Sequence, residues 1–211
     1  WKKLLRWFRR GQEKQETVIR GELTILRGKR LEDAETDYGW RTDEELAALD
    51  ATTPLRMSYS SYLRLIEDEI RHPVPWSKRF AIETHDGKLI GNCMYYDVDN
   101  VKGQVELGIL IGDRDYWNRG YGTDAVTTLT SHLFNTTSFG RIYLHTLSWN
   151  VRAQKSFKKC GFVPVRQVKR SGYDFMLMEL LKERWEGLLS GSISLEEDDT
   201  EPQGYSTATF R

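Results

Sequence analysis

Cysteine is nearly absent: Cys93 and Cys160 are the two in 211 residues. They build neither a disulfide framework nor a metal-ligand pattern, so no metal is expected and a reducing cytoplasm is the simplest location. Long apolar runs are missing as well. No stretch approaches the roughly 20 residues that a membrane-crossing helix needs. Acids and bases balance overall, at 31 each, but one local absence stands out. From Ala125 to Tyr173 there is no Asp or Glu in 49 residues, while eight Lys and Arg occur there. An uncompensated basic segment of that length points to an anionic ligand.

What is present organises the rest. Residues 1–10, WKKLLRWFRR, carry five positive charges and no negative one. Trp1, Leu4, Leu5 and Phe8 share one helical face, so residues 1–17 read as a basic amphipathic helix, able to dock on its own domain, a partner or an anionic membrane surface. A secretory leader is not expected, because the apolar block is short and broken by charge. Residues 195–201, LEEDDTE, hold five acids in seven positions, and residues 185–211 read as an acidic, mobile tail. Between them, residues 18–184 form one α+β domain. A first strand covers 21–30, and a helical stretch over 31–50 is interrupted near Gly39. A second helix, 60–72, carries Tyr62, Leu65, Ile66 and Ile70 and stops at Pro73 and Pro75. A hairpin turns at Asp86-Gly87, and 103–112 adds a third strand to that meander. Then follow a helix after Gly122, a strand at 141–149, a helix at 151–160 closed by Gly161, and two last strands.

The segment Gly120-Tyr121-Gly122-Thr123-Asp124-Ala125 sits at a strand-to-helix corner. It fits the dinucleotide pattern of two spaced glycines. However, four strands precede it, and no acid follows until Asp174 to hold a ribose, so a nicotinamide-dinucleotide domain is disfavoured. No Gly-Lys-Ser/Thr follows either, which excludes a P-loop. The physics of the corner remains: glycines admit an anion close to backbone N–H groups, and a helix start adds its positive dipole end. A pyrophosphate is the natural occupant.

Trp117-Asn118-Arg119-Gly120-Tyr121-Gly122 resembles motif A of the GCN5-related N-acetyltransferases (GNAT), Q/R-x-x-G-x-G/A, with Trp117 departing from the usual Gln or Arg. The run Asn150 to Phe162 is similar to that family's N-x-x-[AS]-x-x-x-[YF]-x-x-x-G-F. The wording around Tyr116–Thr123 and WRTDEEL (40–46) resemble its RimJ/RimL-like branch. The resemblance implies a central mixed sheet of six to seven strands, flanked by helices and splayed into a V between the fourth and fifth strands. It implies acetyl-CoA as cofactor. Main-chain groups of Ile109, Leu110 and Ile111 would meet the pantetheine arm, and one N–H there would face the developing oxyanion. Residues Trp117, Asn118, Arg119, Gly120, Tyr121, Gly122 and Thr123 would hold the pyrophosphate. Asn150 and Phe157 would line the arm, and Lys155 or Lys158 would meet the 3′-phosphate. Coenzyme phosphates, rather than nucleic acid, then explain the acid-free segment.

The same resemblance implies acetyl transfer to a small-molecule or peptide primary amine, whose proton needs an acceptor. Glu106, on the strand entering the V, is the first candidate and His145, on the facing strand, the second. Phe157 stands where the family commonly places a Tyr that protonates the departing thiolate, and it cannot donate. Tyr121, Tyr143, Tyr173 or water are the alternatives. Asp37, Trp40, Asp43 and Tyr95 are expected at the acceptor pocket. A monomer and a homodimer are both compatible with the sequence. The competing reading is a non-catalytic acyl-CoA-binding module acting within a protein complex.

Overall fold

The computed structural model describes residues 17–195. Eight strands form a single sheet in the order β1-β2-β3-β4-β5-β6-β8-β7. They are β1 (Ile19–Arg20), β2 (Thr24–Gly28), β3 (Lys78–Thr84), β4 (Leu89–Asp99), β5 (Gln104–Ile111), β6 (Arg141–Leu147), β7 (Val163–Arg170) and β8 (Tyr173–Leu181). The count exceeds the expected six to seven. The two-residue β1, paired at Ile19↔Leu26, is too short to show a period in the sequence. Helices α1 (Ala34–Thr42), α2 (Glu44–Leu49) and α3 (Tyr59–Arg71) lie between β2 and β3. Helix α4 (Tyr121–Thr136) links β5 to β6, α5 (Val151–Lys159) links β6 to β7, and α6 (Lys182–Ser190) follows β8.

One junction shapes the molecule. All neighbouring strands are antiparallel except β5 and β6, which the α4 crossover makes parallel. Their pairing covers only Gln104↔Arg141, Val105↔Ile142 and Glu106↔Tyr143. Beyond it β5 follows β4 as far as Gly91↔Ile111, while β6 follows β8 to Leu147↔Phe175. The two strands therefore part after Glu106, and the V opens there. With β1 set aside, they are the fourth and fifth strands of the sheet.

Helix α4 packs on one face of the sheet because Val126, Leu129, Leu133 and Phe134 recur at helical spacing and are all buried, beside Val105, Leu107 and Ile142. On α3, Tyr62 and Ile66 are buried but Leu65 and Ile70 remain exposed, so its apolar stripe is narrower than the sequence pattern. The break expected near Gly39 falls at Asp43 instead. Gly39 lies inside α1, and the Asp43 carboxylate caps α2 by accepting from the Leu46 N–H at 2.9 Å.

The start of the expected tail is also corrected. Residues 185–190 belong to α6, and Trp185 is buried against Phe134 with ring centroids 5.3 Å apart. The indole's apolar area favours docking over solvent. The amphipathic helix expected over residues 1–17 lies, apart from Thr17, outside the described residues, as does the acidic run from Glu196 onward.

Candidate active site

The V opens into a cleft of about 420 Å³. One wall is the end of β5 with the loop into α4. The other is the end of β6 with the first turns of α5. Gly120 caps α4 in the left-handed region, at φ 87°, which a Cβ would strain. Asn118 adopts φ 57°, a conformation that Asn tolerates better than most residues. These two reversals aim the start of α4 at the cleft, where the first N–H groups of a helix lack intrahelical partners. Gly122 also faces it, and a Cβ there would meet only Ile111 Cγ1, at 3.5 Å.

Most of the residues expected to hold the cofactor line this cleft: Ile109, Leu110, Ile111, Trp117, Asn118, Gly120, Gly122, Thr123, Asn150, Lys155 and Phe157. The Trp117 indole N–H donates to the Ile111 carbonyl at 2.7 Å, so that carbonyl is already engaged. Asn150 caps α5, its side-chain oxygen accepting from the Ala153 N–H at 3.2 Å. Thr123 and Ser156 share a hydroxyl hydrogen bond of 2.9 Å that ties the two walls together. Phe157 is nearly buried and packs edge-on against Phe162, so its ring is both cleft wall and core.

Three expected residues lie elsewhere. Arg119 turns back on its own loop, donating to the Asp115 carbonyl at 3.1 Å with its guanidinium 5.6 Å from the Tyr116 ring centre. Tyr121 packs edge-on against Tyr116, at 4.9 Å. Lys158 lies outside the lining, where Lys159 takes its place. Arg152, which sequence reasoning passed over, lines the cleft with its guanidinium 3.8 Å from the Trp117 ring centre.

The two proton-acceptor candidates form one unit. Nδ1 of His145 lies 2.7 Å from Oε1 of Glu106. Glu106 is only 2% exposed and also accepts from the Tyr96 hydroxyl at 2.9 Å, whereas its Oε2 has no hydrogen-bond partner among the described residues. Burial, followed by the charge and hydrogen bond of Glu106, pushes the Tyr96 phenol well above its ordinary value, which keeps it a donor. Nδ1 faces both Glu106 Oε1 and, at 3.2 Å, a guanidinium nitrogen of Arg170, which can only donate; the shorter contact, to an acceptor-only carboxylate, assigns the hydrogen to Nδ1 and leaves Nε2 as a lone-pair acceptor. His145 lines the cleft and Glu106 does not. Arg170, at the β7–β8 turn, brings a guanidinium nitrogen to 3.9 Å from Glu106 Oε1. Tyr143 stacks edge-on against His145 at 6.0 Å, and burial raises its phenol as well.

The residues expected at the acceptor pocket do not gather there. Asp37 is buried, ion-paired with Lys29 and accepting from the Asn92 amide at 2.8 Å. Tyr95 packs against Phe80, and Asp43 is held by Arg114. Trp40 closes over Gly112 beside a smaller hollow shared with Asp50 and Leu110. Instead Asp50, Leu46 and Leu49, at the end of α2, reach the main cleft together with Phe175.

Comparison with known proteins agrees with this architecture. The family profile described as Acetyltransferase (GNAT) domain matches residues 24–163. The spermine/spermidine N(1)-acetyltransferase of Bacillus subtilis is 31% identical over 101 residues, a match spanning 46% of this chain and 66% of that relative's length. An uncharacterized N-acetyltransferase, p20, of Bacillus licheniformis is 26% identical over 181 residues, covering 82% of this chain and 99% of that one. Among solved structures, the spermidine N-acetyltransferase of Vibrio cholerae in complex with CoA and spermine superposes with a TM-score of 0.69 at 18% identity. It covers 78% of this chain and 98% of that one, a likeness of fold. With the match running from β2 through α5 to the start of β7, the chain belongs to the GNAT acetyltransferase family.

Proposed function

We propose that this protein transfers the acetyl group of acetyl-CoA to a primary amine by direct attack on the thioester. The observation that carries the reading is the Glu106–His145 pair at the point where β5 and β6 part: His145 lines the same cleft as the Gly120–Gly122 corner, and the buried Glu106 stands behind it. Acetyl-CoA fits the residues present. The N–H groups at the start of α4 and the cations of α5 suit its phosphates, and the strand edges beyond Glu106 suit an amide-bearing arm. When bound, it supplies an activated acyl carbon and a thiolate leaving group.

The chain's own residues then divide the work. His145 Nε2 accepts the proton of the amine, directly or through one water. Glu106 orients the imidazole through Nδ1 and stabilises its protonated form. Tyr96 holds the carboxylate in place. No hydroxyl takes the position of the family's Tyr, because Phe157 is packed against Phe162; a thiolate is a tolerable leaving group near neutral pH. Asp50, which pairs with Arg41 at 3.3 Å, brings a carboxylate to the cleft that would suit a cationic acceptor. The names of the relatives make polyamines the first acceptors to try, while the loop wording supports the RimJ/RimL-like branch and its wider range of amines. The balance of cysteines supports a cytoplasmic setting.

The test is CoA thiol release from acetyl-CoA against polyamines, aminoglycosides, amino sugars and peptide N-termini, for wild type beside Glu106→Gln and His145→Ala. Turnover that depends on both side chains is expected. Tight cofactor binding with no transfer to any amine would instead support the non-catalytic acyl-CoA module.

A further inference from the structure

Arg152 sits in the first turn of α5, on the wall of the cleft opposite the glycine corner. Its guanidinium stacks on the Trp117 indole at 3.8 Å, a distance at which cation–π attraction is strong. Trp117 is fixed in turn, since its N–H is committed to the Ile111 carbonyl at 2.7 Å. A second guanidinium, of Arg114, lies 5.6 Å from the same ring, but it is held by Asp43 and Glu45. Arg152 has no such carboxylate among the described residues, nor any hydrogen-bond partner there. The acid-free segment around it explains why. Stacking fixes the plane of a guanidinium while leaving its N–H edge open, and a planar fork of donors matches the paired oxygens of a phosphate.

We propose that Arg152 binds the pyrophosphate of the coenzyme from the second wall of the cleft, with Trp117 as its platform. The inference rests on the reading that the cleft takes acetyl-CoA. Arg152 stacks on the loop that carries Gly120 and Gly122, whereas Lys155 and Lys159 follow it further along the cleft side of α5. That order places Arg152 at the pyrophosphate and leaves the lysines for the more distant 3′-phosphate. The same contact joins the two walls of the V, so a bound pyrophosphate would be gripped from both sides.

Titration calorimetry with CoA and with 3′-dephospho-CoA tests this assignment. Arg152→Gln is expected to weaken both ligands alike, by about 10- to 100-fold, the range for hydrogen bonds to a charged group. Arg152→Lys keeps the charge but loses the stacked fork, and its affinity is expected to fall between the two. Trp117→Leu is expected to weaken binding in the wild-type background and to add little in Arg152→Gln. Arg152 is exposed, where a cation–π contact contributes little to stability, so thermal melting of the free Arg152 variants should shift only slightly from wild type. Unchanged CoA affinity in Arg152→Gln overturns the proposal, and so does a loss confined to CoA, which would move the contact to the 3′-phosphate. A wild-type protein that binds neither ligand overturns the acetyl-CoA reading itself.

Discussion

His145 Nδ1 and Glu106 Oε1 are 2.7 Å apart, His145 standing two residues beyond Tyr143, the last residue of β6 paired with β5. As alternatives, the two residues would contribute independently to catalysis. As a hydrogen-bonded pair they act as one unit, Glu106 orienting the imidazole that takes the proton. We expect Glu106→Gln and His145→Ala each to lower kcat by roughly 10²- to 10³-fold, within the range for a positioned acid–base group. The double variant should fall little below the worse single one. Multiplying losses, measured as kcat at saturating acetyl-CoA, would show that the residues act independently.

The two glycines of the corner do different jobs, and substitution separates them. Gly122→Ala places its Cβ at ordinary contact with Ile111, inside a helix where Ala is favoured over Gly. Its melting temperature should stay level or rise, while affinity for CoA falls, because the methyl group faces the cleft. Gly120→Ala forces a side chain onto φ 87°, at a cost of about 1–2 kcal/mol. Its melting temperature should drop. Equal stability and binding effects from both variants would contradict this division.

Asp33 makes a pH-dependent contribution whose sign follows from its surroundings. Burial alone would raise its pKa, but hydrogen bonds from Arg27 and the Arg30 N–H, with the charges of Lys29 and Arg27, bring it below the ordinary 3.8. The Arg27 fork holds both carboxylate oxygens, at 2.7 and 2.8 Å. A group with a depressed folded pKa stabilises the fold above its unfolded value and loses that contribution as pH falls through the folded one. Asp33→Asn leaves Arg27 buried with a weaker partner and should cost roughly 3–5 kcal/mol at pH 7. In urea unfolding, the gap between wild type and variant should narrow below about pH 4. A gap that stays constant into that range would remove the ionic contribution.

Much of the site was legible because its signals are local. The glycine pair, the Asn150–Phe162 run and the Asp86-Gly87 turn each depend on residues close together in the chain. The Glu106–His145 contact depends on cross-strand register between segments 39 residues apart, and period-2 alternation does not set it. Arg152 was hidden for a similar reason, since what distinguishes it from its basic neighbours is an indole 35 positions earlier. Arg119 misled in the opposite direction: adjacency to the glycines suggested a phosphate ligand, but its side chain folds back on Asp115. Two misses had readable signals. Asp43 followed by Glu44 and Glu45 marks a helix start, and Trp185 with Leu188 marks an apolar face on α6.

Asp124 joins the first hairpin to the helix that carries the corner. Its Oδ1 accepts from the Glu22 N–H, and its Oδ2 from the N–H groups of Leu23 and Thr24 and from the Thr24 hydroxyl, at 2.6–3.1 Å. An acceptor-only carboxylate with four donors has no isosteric replacement. Asn keeps the shape but exchanges one acceptor for a donor aimed at other donors. Asp124→Ala should destabilise the fold by about 3 kcal/mol, since hydrogen bonds to a charged group are each worth about 1.5–3 and some of the freed donors regain water. Asp124→Asn should be no milder. Gly21 tests the same joint from the other side, because a Cβ there would run into Thr128 and Asp124. Urea unfolding of Gly21→Ala, Asp124→Ala and the double variant should show coupling, with the second substitution costing less once the first has opened the joint. Strict additivity would mean that Gly21 and Asp124 support the hairpin separately, and that the carboxylate does not by itself fix the hairpin on α4.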